Sequence, residues 1–246
     1  MEDRAVKAAS VADELGVSTE TIRRDLKQLE SAGRLKRVYG GAVPLGRDIP
    51  PLHVRMQMNP DGTEVIAKVI TRYVEQDQWV YLSGGSPLIP IARRLADGPR
   101  LRVMTHMPAV ADALIGASEH EIHLTGGRYH QAHRILQGDA VFDAIDGRLF
   151  DLAILGVHGL CASRGLVDAL EFLSRLKRRI MGCVRRCIWV CDSSGFNLEG
   201  HFLTAPLEAI DTLITDDRPV GGLMAAIEAA GVELIVANET NRTSDG

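Results

Sequence analysis

No apolar run in this 246-residue chain approaches the ~20 residues that span a bilayer. Its opening, MEDRAVKAAS, lacks the basic-then-apolar order of a secretory signal, so a cytoplasmic protein with no membrane role is expected. Cysteine is scarce: the four are Cys161, Cys183, Cys187 and Cys191. The last three recur every four residues, a spacing that invites a metal or redox reading. The segment turns from a helical pattern into the strand-like CIWVCD, however, so the spacing should not stay on one face. They are read as core thiols in a reducing compartment, and no metal or cofactor is expected. There is no internal repeat, no low-complexity tract, no Walker loop and no Ser/His/Asp order, which leaves a metal centre, a P-loop and a hydrolase triad without a starting point.

Charge is what stands out. The chain carries a formal net charge of -4, yet Thr19 to Gly40 holds six basic residues against three acidic ones. The local balance is +3, so the remainder is about -7 and the basic stretch is a local device. Upstream of it, Ser10 and Asp13 have capping-box-like spacing before VADELG, and Gly16 is placed to end a short helix. After a turn at Val17, Ser18 caps a longer helix whose apolar Ile22, Leu26 and Leu29 share one face. Two helices joined by so tight a turn read as helix-turn-helix. RLKRV, YGG and AVPL then read as two strands around a glycine turn, a basic wing. In the alternative reading the second helix is an ordinary solvated amphipathic one. In the functional reading it enters a DNA major groove. Thr19, Thr21, Arg23 and Arg24 are then the first candidates to reach bases or nearby phosphates, Ser18 and Lys27 belong to the same DNA-binding set, and Arg34, Lys36 and Arg37 meet phosphates.

GRDIPPLHVRMQMNPDG, rich in proline, glycine and polar residues, reads as a linker. Beyond it WVYLS, LRVMT, EIHLT, LAILGV, CIWVCD, TLITD and VELIVA alternate with helical stretches, the pattern of a parallel sheet covered on both faces. The division expected is 1–45 for DNA binding, 46–62 linker, 63–238 for a larger α/β domain and 239–246 a frayed tail. Ligands of such sheets sit at the carboxyl ends of strands. Ser83-Gly84-Gly85-Ser86, opening a helix, offers backbone N–H groups to an anion, although a plain tight turn is an equal reading. Thr105-His106 and Gly126-Gly127-Arg128 end the next two strands and are taken to line the same pocket.

The stretch VADELGVSTETIRRDLKQLESAGRLKRVYGGAV resembles the signature of the DeoR family of bacterial transcription regulators. The resemblance runs from about Val11 to Ala237 through YLSGGSP, VMTH, LTGGRY, DLAILGVHGL, RGLVD, VCDSSGF and IDTLITD. It implies an α/β protein: a small winged helix-turn-helix followed by a sugar-phosphate-sensing domain whose fold resembles ribose-5-phosphate isomerase. Departures cluster at the ligand site. Gly85 and Ser86 stand for two threonines of the family's phosphate loop, His106 for an asparagine, and Gly195 and Thr63 for lysines. Lys177, Arg128 and His106 are the candidates to compensate, with Asp192 completing the effector set. A further helix expected before Ser10 has only MEDRAVKAA in its place. The expectation is thus a repressor bound to double-stranded operator DNA as a homo-oligomer and controlled by a phosphorylated sugar. Two rivals stay open: a sugar-phosphate isomerase-like enzyme, using carboxylates such as Asp151, Asp168, Glu171 or Asp192 or histidines such as His106, His130 or His158, and a regulator whose degenerate sensor only dimerises.

Overall fold

The structure, a computed structural model, describes residues 6–31, 35–44 and 49–242. The N-terminal unit begins with β1 (Val6–Lys7), runs into α1 (Ala8–Leu15) and α2 (Thr19–Ser31), and closes with β2 (Leu35–Val38) and β3 (Gly41–Pro44). Ser10 is not a cap: α1 starts at Ala8, and the Ala8 N–H donates to the Gly40 carbonyl at 2.8 Å. Strand β1 pairs antiparallel with β3, so the wing's backbone, and no side chain, receives the first turn of α1. Gly16 ends that helix in the left-handed region, φ 65°, with its N–H on the Ala12 and Asp13 carbonyls. The Ser18 cap is as expected, its Oγ accepting the Thr21 N–H at 3.0 Å. Ala8, Ala12, Ile22, Leu26 and Ala42 form a separate small core. Burying Ile22 and Leu26 contributes roughly 1.5–3 kcal/mol each, a thin margin for a unit of this size. Strand β1 approaches β3 so closely that a Cβ on Gly41 would lie 1.9 Å from the Val6 carbonyl oxygen.

The larger unit continues with α3 (Leu52–Arg55), α4 (Pro60–Ile70), β4 (Trp79–Leu82), α5 (Leu88–Leu95), β5 (Arg102–Thr105), α6 (Pro108–Ala113) and β6 (Glu121–Leu124). It goes on through β7 (Arg128–His130), β8 (Ile135–Gln137), α7 (Asp139–Ile145), β9 (Phe150–Gly156), β10 (Gly159–Cys161), β11 (Gly165–Asp168) and α8 (Glu171–Met181). It ends with β12 (Val184–Val190), β13 (Phe202–Ala205), β14 (Thr212–Thr215), α9 (Gly222–Ala229), β15 (Glu233–Val236) and α10 (Ala237–Arg242). The seven strands read from the sequence form one sheet, in the order β15-β14-β12-β9-β4-β5-β6, with every pairing parallel. Its central strands are apolar on both faces. Val80, Leu82, Val103 and Ile154 pack with α4 and α5 on one side. Tyr81, Met104, Ala153 and Trp189 pack with α7, α8 and α9 on the other. The small antiparallel sheet β10-β11-β13 and the β7–β8 hairpin were not anticipated, because three- and four-residue strands carry too little periodicity to read.

Three expectations need amending. Cys183, Cys187 and Cys191 do lie on one side, all packed into the same core layer, since Cys187 is within β12 and Cys183 and Cys191 border it, where a four-residue step keeps the face. Spaced along a strand they stand about 13 Å apart per step, too far to share an ion, and no group of three metal-ligating side chains occurs among the described residues. The supposed linker is partly structured: it supplies α3, whose Leu52 is buried in the main core, and the first turn of α4. The supposed tail continues α10 through Arg242, with Glu239 accepting from Arg218 at 2.8 Å; residues 243–246 lie outside the described residues. Among the described residues no helix is long and apolar enough to cross a membrane.

Candidate functional site

On α2 the buried residues Ile22 and Leu26 point into the small core. At 100° per residue the opposite face is Glu20, Thr21, Arg24 and Lys27, with Arg23 on its flank, and each of these is exposed. Arg23 is loosely held by Glu20 at 3.5 Å with both side chains well solvated, so it is available to another anion at little cost. Thr21 and Ser18 are tied together at the helix start, Oγ to Oγ1 at 2.8 Å, which fixes both as cap residues and leaves Thr19 half-buried beside them. Arg37 is exposed on β2, and Tyr39 is 94% exposed at the wing's tip. Arg34 and the side chain of Lys36 lie outside the described residues.

In the larger unit the chain builds β4, β5 and β6 outward on one side and then returns to place β9 on the other flank of β4. The crevice between β4 and β9 is therefore the topological switch point, where loops leaving neighbouring strands diverge and leave room for a ligand. A pocket lies there, lined by Gly84, Gly85 and Ser86 after β4, Gly156 to His158 around the end of β9, and Asp192, Ser194 and Gly195 after β12. Asp168 and Lys177 form one wall, and Ile49, Pro50, Arg55 and Met58 close another.

Of the eleven effector candidates the pocket gathers Gly84, Gly85, Ser86, Lys177 and Asp192. Ser83 stands behind the loop, its Oγ accepting the Gly156 N–H at 3.0 Å and so bolting β4 to β9. Thr105 is fully buried, its Oγ1 receiving the Met107 N–H at 3.1 Å. His106 is also fully buried: its Nδ1 is hydrogen-bonded to the Tyr81 hydroxyl at 2.9 Å, and its Nε2 has no partner among the described residues. That Nε2 supports the loop from beneath, since a Cβ on Gly84 would come within 2.9 Å of it. Gly126, Gly127 and Arg128 are exposed beyond the edge strand β6, two strands from β4 and so about 10 Å away. Their glycines serve the backbone, with φ 78° and 106°. The expected convergence of the β4, β5 and β6 ends is thus replaced by convergence of the β4, β9 and β12 ends, because a ligand crevice opens where strand order reverses.

Lys177 and Asp168 are an ion pair buried to within 4% of full closure, with Nζ at 2.6 and 2.8 Å from the two carboxylate oxygens. Thr204 donates to the same carboxylate at 2.6 Å. Burial pulls the Lys177 ammonium below the usual lysine range, which Asp168 partly offsets. Burial likewise pushes the Asp192 carboxyl up, against the stabilising hydrogen bond from the Ser194 N–H at 2.9 Å. Asn59 ties this corner to α4, donating to Asp216 at 2.7 Å while capping the Gly62 N–H. Half-buried His158 has its Nε2 without a partner among the described residues, and burial pushes its pKa down to about 4. Among the other acid–base candidates, Asp151 is at the opposite end of the sheet, accepting the Trp79 N–H at 2.9 Å, and His130 stacks on His133 with ring centroids 4.7 Å apart.

Thr63, at the place of one family lysine, is buried with its hydroxyl on the Pro60 carbonyl, away from the pocket lining. Gly195, at the place of the other, does line the pocket, but a Cβ there would sit 2.7 Å from the Cys191 sulfur. Arg55, Met58, Ile49 and Pro50 were not anticipated. The signal that pointed away from them was composition, since proline, glycine and polar residues mark linkers and pocket walls alike.

Two sequence families match the chain. The DeoR-like helix-turn-helix domain covers residues 2–46 and the DeoR C terminal sensor domain covers residues 58–217. The HTH-type transcriptional regulator GlpR of Haloferax volcanii is 31% identical over 92% of this chain and 89% of its own. The HTH-type transcriptional repressor GlcR of Bacillus subtilis is 27% identical over 92% and 87%, and the glycerol-3-phosphate regulon repressor of Escherichia coli is 26% identical over 93% and 91%. Among solved structures, the ribose 5-phosphate isomerase of Methanocaldococcus jannaschii overlaps 56% of this chain and 55% of its own at 12% identity, with a TM-score of 0.41, and nothing about activity follows from so loose an overlap. With both domains matched in order and relatives aligned along nearly their whole length, the chain belongs to the DeoR family of helix-turn-helix transcriptional regulators.

Proposed function

We propose that this protein is a repressor that holds operator DNA through α2 and the wing and releases it when a phosphorylated sugar or related anion enters the pocket at the β4–β9 crevice. The observation that carries this reading is the pocket itself. The loop Gly84-Gly85-Ser86 ahead of α5 and the cations Lys177 and Arg55 line one cavity with Asp168 and Asp192, in the same chain as a helix on which Arg23, Arg24 and Lys27 are exposed. Oriented N–H groups and a helix start favour an anion, and a guanidinium supplies paired donors to phosphate oxygens. Residues 1–45 take the DNA-binding role and 63–238 the sensing role. Thr19, Arg23 and Arg24 are assigned to the groove, with Ser18 and Thr21 fixing the helix start. Lys27, Arg34, Lys36 and Arg37 are assigned to phosphates. Gly84, Gly85, Ser86, Lys177 and Asp192 are the effector contacts, while Ser83, Thr105 and His106 hold the loop.

The rival catalytic reading rests on His158, since a general base needs a free lone pair: its Nε2 has no partner among the described residues, whereas Asp168 is committed to Lys177 and Thr204 and Asp192 to Ser194 and Asn59. The helix-turn-helix unit in the same chain favours regulation over turnover. The protein acts in the cytoplasm as a homo-oligomer, since helix-turn-helix units read paired half-sites about 34 Å apart, and a change in their separation is enough to release DNA. The test is fluorescence anisotropy on duplex DNA from upstream of the protein's own gene, at fixed salt, with and without glycerol 3-phosphate, fructose 6-phosphate and ribose 5-phosphate. Selective binding relieved by one of them is expected. Binding that only tracks salt, or that none of the compounds alters, overturns the reading.

A further inference from the structure

Arg55 belongs to α3, the short helix between the two units, yet its side chain lines the pocket. Its one hydrogen bond among the described residues runs from Nε to the Pro50 carbonyl at 3.1 Å, which leaves both terminal nitrogens without a partner there. Burial lowers its pKa to about 10, with Asp168 and Asp192 opposing the shift, so the guanidinium keeps its charge at neutral pH. Pro50 and Ile49 line the same cavity and follow β3, whose last residue is Pro44, by only a few residues. The far side of α3 is anchored: Leu52 is 1% exposed, and its N–H donates to the Ala132 carbonyl at 3.0 Å in the loop joining β7 and β8. The helix is therefore fixed to the sensor by one face, while Pro50, just ahead of it, is held by an arginine that also lines the pocket.

From this geometry we infer that Arg55 is the clasp through which the pocket reports its occupancy: a phosphate-bearing anion seated on the 84–86 loop draws the guanidinium from the Pro50 carbonyl and frees the chain leading back to the wing. The inference rests on the reading of the cavity as an anion-responsive sensor. Arg55 on this account is a positioning residue for DNA release as well as an anion contact, and the two roles separate experimentally. A lysine keeps the charge but cannot bond Pro50 and an anion with separate parts of a planar fork. A glutamine removes the charge.

The experiment uses the full chain and its Arg55→Lys and Arg55→Gln variants, each first shown by thermal unfolding to be folded. Calorimetry measures binding of glycerol 3-phosphate, fructose 6-phosphate and ribose 5-phosphate, and anisotropy measures the ratio of DNA affinity without and with whichever compound the wild type binds. For Arg55→Lys the expected result is anion affinity weakened by about threefold to tenfold, because the paired donors are lost while the charge stays, and, at saturating anion, a DNA-affinity ratio at least about threefold closer to one. For Arg55→Gln the expectation is anion affinity weakened about tenfold or more and a ratio near one even at saturation. A wild-type ratio in either folded variant overturns the clasp alone. A wild type that binds none of the three compounds overturns the sensor reading and the clasp with it.

Discussion

Acidification from about pH 7.5 to about pH 5 is expected to cost this protein about 2 kcal/mol through His106 alone. The ring is fully buried, and burial, reinforced by the nearby Lys177 charge, pushes its pKa from 6.5 down to about 3. Between those two values the unfolded chain binds a proton that the folded protein refuses. Stability therefore rises with pH through the window and falls as the solution is acidified. At pH 5 the unfolded imidazole is protonated almost completely and the folded one scarcely at all, so about 1.5 pH units of linkage accumulate at about 1.4 kcal/mol each. His133 and His158, both pushed down to about 4 by burial, add losses of the same sign. The contribution of His106 is isolated by comparison with His106→Asn, which places there the residue that the family resemblance expects. Urea unfolding of both proteins at the two pH values gives four free energies. The variant is less stable at both, having lost ring packing against Tyr81 and Phe172, but its loss on acidification should be smaller by about 2 kcal/mol. Equal losses in the two proteins would show that His106 is not held neutral in the fold and would remove the buried, loop-supporting role given to it.

Arg23→Ala or Arg24→Ala should weaken operator binding by roughly 1–3 kcal/mol if the side chain reads a base, measured by anisotropy at fixed salt; a uniform loss on all sequences with a shallower salt slope would make it a phosphate contact. Lys177→Met should cost about 3–5 kcal/mol in urea unfolding because Asp168 is left buried with Thr204 as its remaining side-chain donor, and a cost below about 1 kcal/mol would mean the pair is solvated. Gly41→Ala places a Cβ 1.9 Å from the Val6 carbonyl oxygen, so β1 must leave β3. Faster hydrogen exchange at Ala8, whose N–H rests on the Gly40 carbonyl, is the expected sign, and unchanged protection would refute the pairing. Gly84→Val drives a side chain toward His106 Nε2 and Ile135 Cγ2, 2.9 and 3.1 Å from the added Cβ, and should abolish calorimetric binding of whichever sugar phosphate the wild type takes up. Retained binding would move the pocket elsewhere.

Much of this architecture was legible in local pattern. The seven apolar runs became the seven strands of the sheet, and Gly16 and Ser18 stop one helix and start the next as their chemistry dictates, because strand periodicity and caps involve neighbours in the chain. Ser10 misled for an instructive reason: the helix begins two residues earlier, at Ala8, because β1 pairs with β3 and the Gly40 carbonyl in the wing's turn receives the Ala8 N–H, so Ser10 falls inside the first turn. The loop Gly84-Gly85-Ser86 was readable from its composition as an anion cradle or as a plain tight turn, and it lines the cavity.

Which other residues share that cavity was decided by strand order, and strand order is not a local property. Thr105 and Gly126 follow strands as surely as Gly84 does, but β5 and β6 were laid down away from the switch point. His158 follows β9, which borders it, and Asp192 follows β12, the next strand out on that side. Arg55 enters from a segment whose composition marks a linker, because only the fold brings α3 against the end of the sheet. Sequence alone determined the kinds of element and the chemistry available to them, since propensity, capping and periodicity act over a few residues. Tertiary structure alone decided the company each side chain keeps, because contacts across a hundred residues depend on how the strands are ordered.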